Sequence, residues 1–514
     1  MPRTPLLELR AISKSFPACL ANDAIDLAIN SGEVHALLGE NGAGKSTLVK
    51  IIYGILKADS GSILWQGKET AIGNPAQARE LGIAMVFQHF SLFDSLTVLE
   101  NIALGMDQGT KLGQLEKQIL EVSSTYGLPL DPRRHVYTLS VGERQRIEIV
   151  RCLLQQPKLL VMDEPTSVLT PQEVDKLFET LHRLADEGMA ILYISHKLDE
   201  IRQLCERATI LRQGRKVAEA LPAGETAQSL AALMIGGDVQ DVRNTSAGAA
   251  ADAPVRLQVT DLSTDTEDEF GISLQHIDLQ VRAGEIVGIA GVAGNGQTEL
   301  LEALTGELLS GRDTVRINDA PCGDLTPAGR RKLGLCSVPE QRLGHGAVAE
   351  MSLSENSFLT AFQRLKMLSW GLIHFARRDE FTEQVINGFA VKCGGRGAFA
   401  SSLSGGNLQK FIVGREISQR PDLLIVSQPT WGVDAGSAAA IHQALIELAE
   451  QGAAVLVISQ DLDELMLISH RIAAICAGRL STLYPRSQLN VQDVGLLMGG
   501  GALSADNVGE AGHA

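Results

Sequence analysis

Residues Gly39-Glu40-Asn41-Gly42-Ala43-Gly44-Lys45-Ser46-Thr47 set three glycines, a lysine and two hydroxyls in one short loop. Glycines let consecutive backbone N–H groups turn toward an anion, and a helix opening behind them adds its positive end. Lys45 would bring a point charge to the β- and γ-phosphates of a nucleoside triphosphate, and Ser46 a hydroxyl ligand for magnesium. The pattern arises by accident in roughly one chain in 50 of this length. A glycine turn that only caps a helix is the plain alternative. Its context argues against that, because a strand (Glu33 to Leu38) precedes the loop and an apolar helix (Leu48, Ile51, Ile52) follows it.

Further on, Leu159 to Met162 reads as a buried strand that ends in Asp163-Glu164. Alone, this is a strand closing at an acidic turn. Behind a P-loop it becomes a magnesium-holding Asp163 and a Glu164 placed to take a proton from an attacking water. His196 follows the strand Ile191 to Ser195, where a lone histidine is otherwise a helix cap.

The elements that carry these residues occur twice. Gly39 to Ser46 finds Gly291 to Thr298 at an offset of 252 residues. Leu139-Ser140-Val141-Gly142 finds Leu403-Ser404-Gly405-Gly406 at an offset of 264, as do Pro165-Thr166 with Pro429-Thr430 and Leu198-Asp199-Glu200 with Leu462-Asp463-Glu464. A tandem duplication with 12 extra residues in the second copy accounts for every pair. Domains are expected at 1–237 and 254–500, with a small, polar, flexible linker at 238–253 and a flexible tail at 501–514. In the second copy, strands are read at Glu285 to Ala290, Leu423 to Val426 and Val455 to Ser459. Short apolar strands alternating with helical stretches predict an α/β fold, a mostly parallel sheet covered on both faces.

Leu139-Ser140-Val141-Gly142-Glu143-Arg144-Gln145-Arg146 and Leu403-Ser404-Gly405-Gly406-Asn407-Leu408-Gln409-Lys410 resemble the signature motif of ABC ATPases. The resemblance runs over residues 5 to 500 and implies tandem P-loop domains, each with an antiparallel β part and a helical subdomain. It implies ATP and Mg2+ as ligands. Gln88 resembles the glutamine that touches metal and attacking water, and Phe16 the ring that stacks on adenine. Thr170 departs from the family's usual aspartate in the D-loop, which weakens any reading of cross-talk through it.

The second copy keeps the frame and changes the chemistry. Around Gly291, Gly296 and Thr298, the lysine is replaced by Gln297; Ser427-Gln428 stand for Asp163-Glu164, Gln460 for His196 and Glu340 for Gln88. A neutral amide does not offset phosphate charge, and Gln428 is no carboxylate base. The signature of this half has both glycines, with Ser404 read as the helix cap. Family members pair head to tail, each signature completing the other unit's P-loop site. That implies one complete site from Lys45, Ser46, Asp163, Glu164, Gln88 and His196 with Ser404, Gly405 and Gly406. It implies one crippled site from Gln297, Ser427, Gln428 and Gln460 with Ser140 and Gly142.

Acidic side chains number 61 and basic ones 45, a formal net charge of −16. This opposes a broad nucleic-acid-binding surface. No apolar run approaches the roughly 18 residues of a membrane span, no signal peptide is read at the start, and seven scattered cysteines suit a reducing compartment. Fused twin ATPases with one weakened copy resemble bacterial importers of simple sugars and nucleosides. Ribose-type second halves usually show GAGRTE and an Asp-Glu pair, where this chain has Gly294-Asn295-Gly296-Gln297-Thr298-Glu299 and Ser427-Gln428. The nucleoside branch is therefore favoured, with simple-sugar import as the alternative. That resemblance implies two integral-membrane permeases, an extracytoplasmic solute-binding lipoprotein, and a peripheral place on the cytoplasmic face of the inner membrane. The cluster His89, Phe90, Leu92 and Phe93 is either a permease seat or ordinary subdomain packing. Soluble twin ATPases acting on ribosomes or DNA usually keep two complete sites and a charged linker, neither of which is read here.

Overall fold

The computed structural model describes residues 4–16, 19–40, 42–87, 91–106, 109, 111–166, 169–195, 197–236, 244, 246, 248–250, 252–265 and 271–503. Asn41, Gln88, His89, Phe90 and His196 lie outside the described residues. The chain divides into two compact units, residues 1–239 and 240–514.

In the first unit, six strands form one sheet in the order Arg215–Ala220, Arg207–Arg212, Val34–Leu38, Ala190–Ile194, Leu159–Asp163 and Ile83–Val86. All neighbours but the first pair run parallel. The inner strands are almost wholly buried because helices cover both faces, which is why they read as unbroken apolar runs rather than alternating ones. A second, antiparallel sheet (Leu7–Phe16, Cys19–Ile29, Ser60–Trp65, Lys68–Glu69) closes one side of the core around Leu7, Ile12, Ile25 and Leu48. Helices Val98–Ala103, Leu112–Thr125 and Val141–Leu153 pack their apolar residues into the other core cluster. The first opens on a capping box of Thr97 and Glu100.

The second unit repeats the plan. Strands Leu335–Val338, Leu423–Ser427, Ala454–Ser459, Ile286–Ala290 and Arg471–Cys476 lie in that order, all parallel, so each stands where its first-unit counterpart does. Most of the extra residues sit in one place. The capping box Thr97/Glu100 recurs as Ser352/Glu355, but the helix Phe375–Gly388 starts eight residues later than that register allows. The intervening hairpin pairs Leu368–Ser369 with Leu372–Ile373 and leaves Trp370 at its tip fully exposed.

Part of the segment expected as a flexible linker is tied down. Asn244 is buried and donates from Nδ2 to the Ile468 carbonyl at 2.8 Å. His470 Nε2 lies 2.6 Å from Ser246 Oγ, and the Ile286 N–H donates to His470 Nδ1 at 2.9 Å. With Nδ1 accepting, Nε2 carries the hydrogen and donates to Ser246. Burial lowers the pKa of His470 below its ordinary 6.5, against the opposing charge of Glu285 and with the help of Arg486. Protonation would set a ring N–H against the Ile286 N–H. The unfolded chain therefore takes up this proton first, and stability falls as pH drops from 6.5 toward the lowered native value. Amide exchange at Asn244 and Ser246 should accelerate over that interval, and His470→Gln should remove the pH dependence.

Candidate functional site

The glycine loop leaves the strand Val34–Leu38 and opens the helix Lys45–Ile52. Gly44 has φ 100° and a Cβ there would strike the Ala21 carbonyl, so the turn admits only glycine. Asn22, fully buried, donates to the Gly44 carbonyl at 3.1 Å and props the loop from the antiparallel sheet. Lys45 is 7% exposed and its ammonium donates to the carbonyls of Gly39 (2.6 Å) and Glu40 (3.1 Å). Burial lowers its pKa, while Glu164, Asp163 and Glu40 pull the other way. The lysine thus stands in the field of both predicted carboxylates. The parallel order explains it: Leu159–Asp163 is separated from the loop's strand only by Ala190–Ile194, and all three end on the same side.

Glu164 sits at φ 50°, a left-handed conformation that costs a non-glycine residue about 1–2 kcal/mol. Its N–H is held by the Ile194 carbonyl at 2.9 Å. Gln428 has the same φ of 50° and the same bond, to the Ile458 carbonyl at 2.8 Å. The turn that aims the side chain survives in the second unit, and only the side chain differs. Ser46 is exposed and Thr47 half-buried on the first turn after the loop, with Gly42 exposed and Ala43 buried within it. Ser46 and Asp163 are hard oxygen donors, the kind that holds magnesium beside substrate phosphates. Phe16 is 42% exposed, with Lys14 Nζ 5.9 Å from its ring centroid; it is a surface platform and not core.

The second glycine loop closes on itself. Gln297 donates from Nε2 to the Val292 carbonyl (2.7 Å) and accepts the Asn295 N–H on Oε1 (3.0 Å). Lysine has no acceptor and leaves the matching N–H free of its side chain. Gly291 and Gly296 are buried, and Thr298 is exposed on the helix that follows. Ser427 is 4% exposed; Gln428 Oε1 is 3.4 Å from Ser459 Oγ and 3.5 Å from the Gln460 amide. Burial raises the pKa of Glu340.

The two signatures differ in a way the residue types did not reveal. Ser140 caps its helix: its Oγ accepts the Glu143 N–H, and Glu143 takes the Ser140 N–H at 2.9 Å. Donors that an anion needs are consumed, and a carboxylate occupies the helix N-terminus. Ser404, expected to cap, makes no such bond. Its position three along is Asn407, whose Nδ2 donates to Ser404 Oγ at 2.9 Å, leaving the hydroxyl hydrogen outside that bond. The glycines also differ. A Cβ on Gly142 would strike the Glu173 carboxylate, so a larger residue there would have to displace that side chain. A Cβ on Gly405 would meet the Arg342 guanidinium, and Gly406 has contacts no closer than 3.5 Å.

A buried carboxylate underlies each site. Glu200 accepts from Thr166 Oγ1 (2.7 Å), Tyr193 Oη (3.0 Å) and Ser195 Oγ (3.2 Å). Glu464 accepts from Thr430 Oγ1 (2.7 Å), Ser459 Oγ (2.7 Å) and His442 Nε2 (2.8 Å). Each ties the turn after the carboxylate strand to the end of the central strand. The sequence signal was there: this acid is retained in both copies, within the Leu-Asp-Glu repeat. Of the apolar cluster after Gln88, Leu92 packs on the helical core and Phe93 is 61% exposed. No helix among the described residues is long and apolar enough to cross a membrane.

A family model described as "ABC transporter" matches residues 22–167 and again 274–431. The chain is 40% identical to the nucleoside import ATP-binding protein NupA of Lactococcus lactis, covering 98% of this chain and all of that one. It is 39% identical to the guanosine import ATP-binding protein NupO of Bacillus subtilis, over 96% of this chain and 97% of that one. It is also 37% identical to the ribose import ATP-binding protein RbsA 2 of Streptomyces coelicolor, over 93% and 91%.

The buried network and the Asp163-Glu164 pair should separate on mutation. Thr166→Val and Thr430→Val each remove a donor to a buried carboxylate and should cost about 1–3 kcal/mol in denaturant unfolding. Asp163→Asn should abolish nucleotide turnover while the chain still unfolds cooperatively.

Proposed function

This chain belongs to the ABC transporter family, and from that premise we propose that it is the ATPase subunit of a nucleoside importer, with one hydrolytic site per fused chain. The observation that carries the single site is the one-sided distribution of groups. Lys45, Asp163 and Glu164 stand together in the first unit, and the same turns in the second carry Gln297, Ser427 and Gln428. The family's head-to-tail pairing would set the Lys45 loop against Ser404, Gly405 and Gly406, the signature whose serine is not spent on capping. Ser140 and Gly142 would face the self-closed Gln297 loop.

In this reading, loop N–H groups and Lys45 bind the β- and γ-phosphates while Phe16 receives the adenine. Ser46 and Asp163 hold magnesium, which when bound offsets phosphate charge. Glu164, aimed by its strained turn, takes the proton of the water that attacks the γ-phosphorus. Gln88 and His196 are assigned to water and γ-phosphate by family likeness. Nucleotide binding draws the units together and hydrolysis releases them, so the same cycle moves the two permeases that carry the solute. A solute-binding lipoprotein delivers that solute, and this subunit works on the cytoplasmic face of the membrane. Nucleoside transport is supported by the relatives NupA and NupO and by the Ser427-Gln428 departure. Ribose import, named in RbsA 2, is the second reading.

Glu164→Gln should lower steady-state ATP hydrolysis by at least about 100-fold while ATP binding persists. Ser404→Ala should impair turnover and Ser140→Ala leave most of it; the reverse order would refute the pairing. In the complex reconstituted with its permeases and binding protein, nucleosides should raise ATPase activity and ribose should not. Stimulation by ribose alone would assign the sugar reading instead.

A further inference from the structure

We propose that Arg342 is a phosphate-contacting side chain of the Ser404–Gly406 signature, adding a guanidinium to the γ-phosphate end of the bound ATP. This rests on the head-to-tail reading above. Arg342 lies in the loop after the strand Leu335–Val338, and its counterpart 252 residues earlier is Phe90. The charge therefore belongs to the second copy alone.

Its fork is held by neutral groups. Nε donates to Gln409 Oε1 at 3.0 Å, Nη2 donates to the Trp431 carbonyl, and Cζ lies 5.8 Å from the Trp431 ring centroid. Gln409 is 1% exposed and is fixed in turn by donating to the carbonyls of Gln428 (3.3 Å) and Pro429 (3.0 Å). Nη1 is the nitrogen turned to the signature: a Cβ on Gly405 would sit 2.5 Å from it. Gly432 gives similar room, a Cβ there lying 2.8 Å from Nη2. No ion pair to a carboxylate is formed by Arg342 among the described residues. Burial disfavours its charge with no acid to compensate.

A guanidinium partly withdrawn from water without a counter-ion gains most when an anion arrives. The phosphate of a nucleoside triphosphate matches the planar fork, and the adjoining Ser404 hydroxyl and Gly405–Gly406 backbone are donors to the same kind of group. The first unit supplies the contrast. There Gly142 lies against the Glu173 carboxylate and the Ser140 N–H is taken by Glu143, itself paired with Arg134, so that signature has no unpaired cation beside it like Arg342 among the described residues.

The test compares full-length chains carrying Arg342→Ala, Arg342→Lys and Ser404→Ala. Steady-state hydrolysis gives kcat and KM for ATP; in a Glu164→Gln background, fluorescent ATP and ADP analogues give affinities. Arg342→Ala should raise KM about 10-fold with a smaller change in kcat, and Arg342→Lys should recover part of that loss. Affinity for the ATP analogue should fall by a similar factor while that for ADP holds within about twofold. If Ser404→Ala impairs turnover and Arg342→Ala does not, the assignment of Arg342 fails and the pairing stands. If Ser404→Ala has no effect, the pairing fails and the assignment with it. A fall in kcat alone, unrelieved by lysine, overturns a phosphate contact in favour of a packing role.

Discussion

A carboxylate that cannot reach water must be given donors, and in each unit that requirement shapes the site. Glu200 and Glu464 gather hydroxyls from the turn after one strand and from the end of the next. With the buried acid satisfied, the two strand ends are held at a defined spacing, and the left-handed residue between them, Glu164 or Gln428, is aimed from a fixed base. The supply of donors has even been re-sourced. The first unit uses the Tyr193 hydroxyl; the second has Val457 there and draws on His442 from a helix instead.

This separates two kinds of charged residue that look alike in a sequence. The acid beneath each site, Glu200 or Glu464, recurs at the same place in both copies, because losing it would strand the hydroxyls packed around it. The acids proposed to act on a substrate are present once. Asp163, Glu164 and Lys45 were exchanged for Ser427, Gln428 and Gln297 with the backbone bond at 164 and 428 unchanged. Both Lys45 and Gln297 donate to carbonyls of their own glycine loop, but only the glutamine also accepts a loop N–H, that of Asn295.

The signatures show the complementary asymmetry. A helix N-terminus attracts anions only while its N–H groups are unclaimed and no carboxylate lies over it. Ser140 meets neither condition, since Glu143 and Glu173 cover its turn. Ser404, with Asn407 and Arg342 beside it, presents the opposite field. The loop that carries Gln297 and the signature whose serine does not cap thus share a unit.

Residue order alone determined the duplication, the glycine loops, the strands on which they sit and the pair of acids at Asp163-Glu164. These follow from local rules: glycine where φ is positive, apolar runs where both sheet faces are covered, offsets that repeat. The anchoring of Asn244 and Ser246 on His470 was not legible, because their polar composition suits a linker and their partner lies more than 200 residues away. Nor was the role of Asn22 under Gly44, or the reversal of capping between Ser140 and Ser404. Only tertiary structure decided these, since they depend on which distant side chain arrives: Glu173 beside one glycine, Arg342 beside another. Local pattern sets where a group can be offered, and long-range packing sets the field in which it is offered.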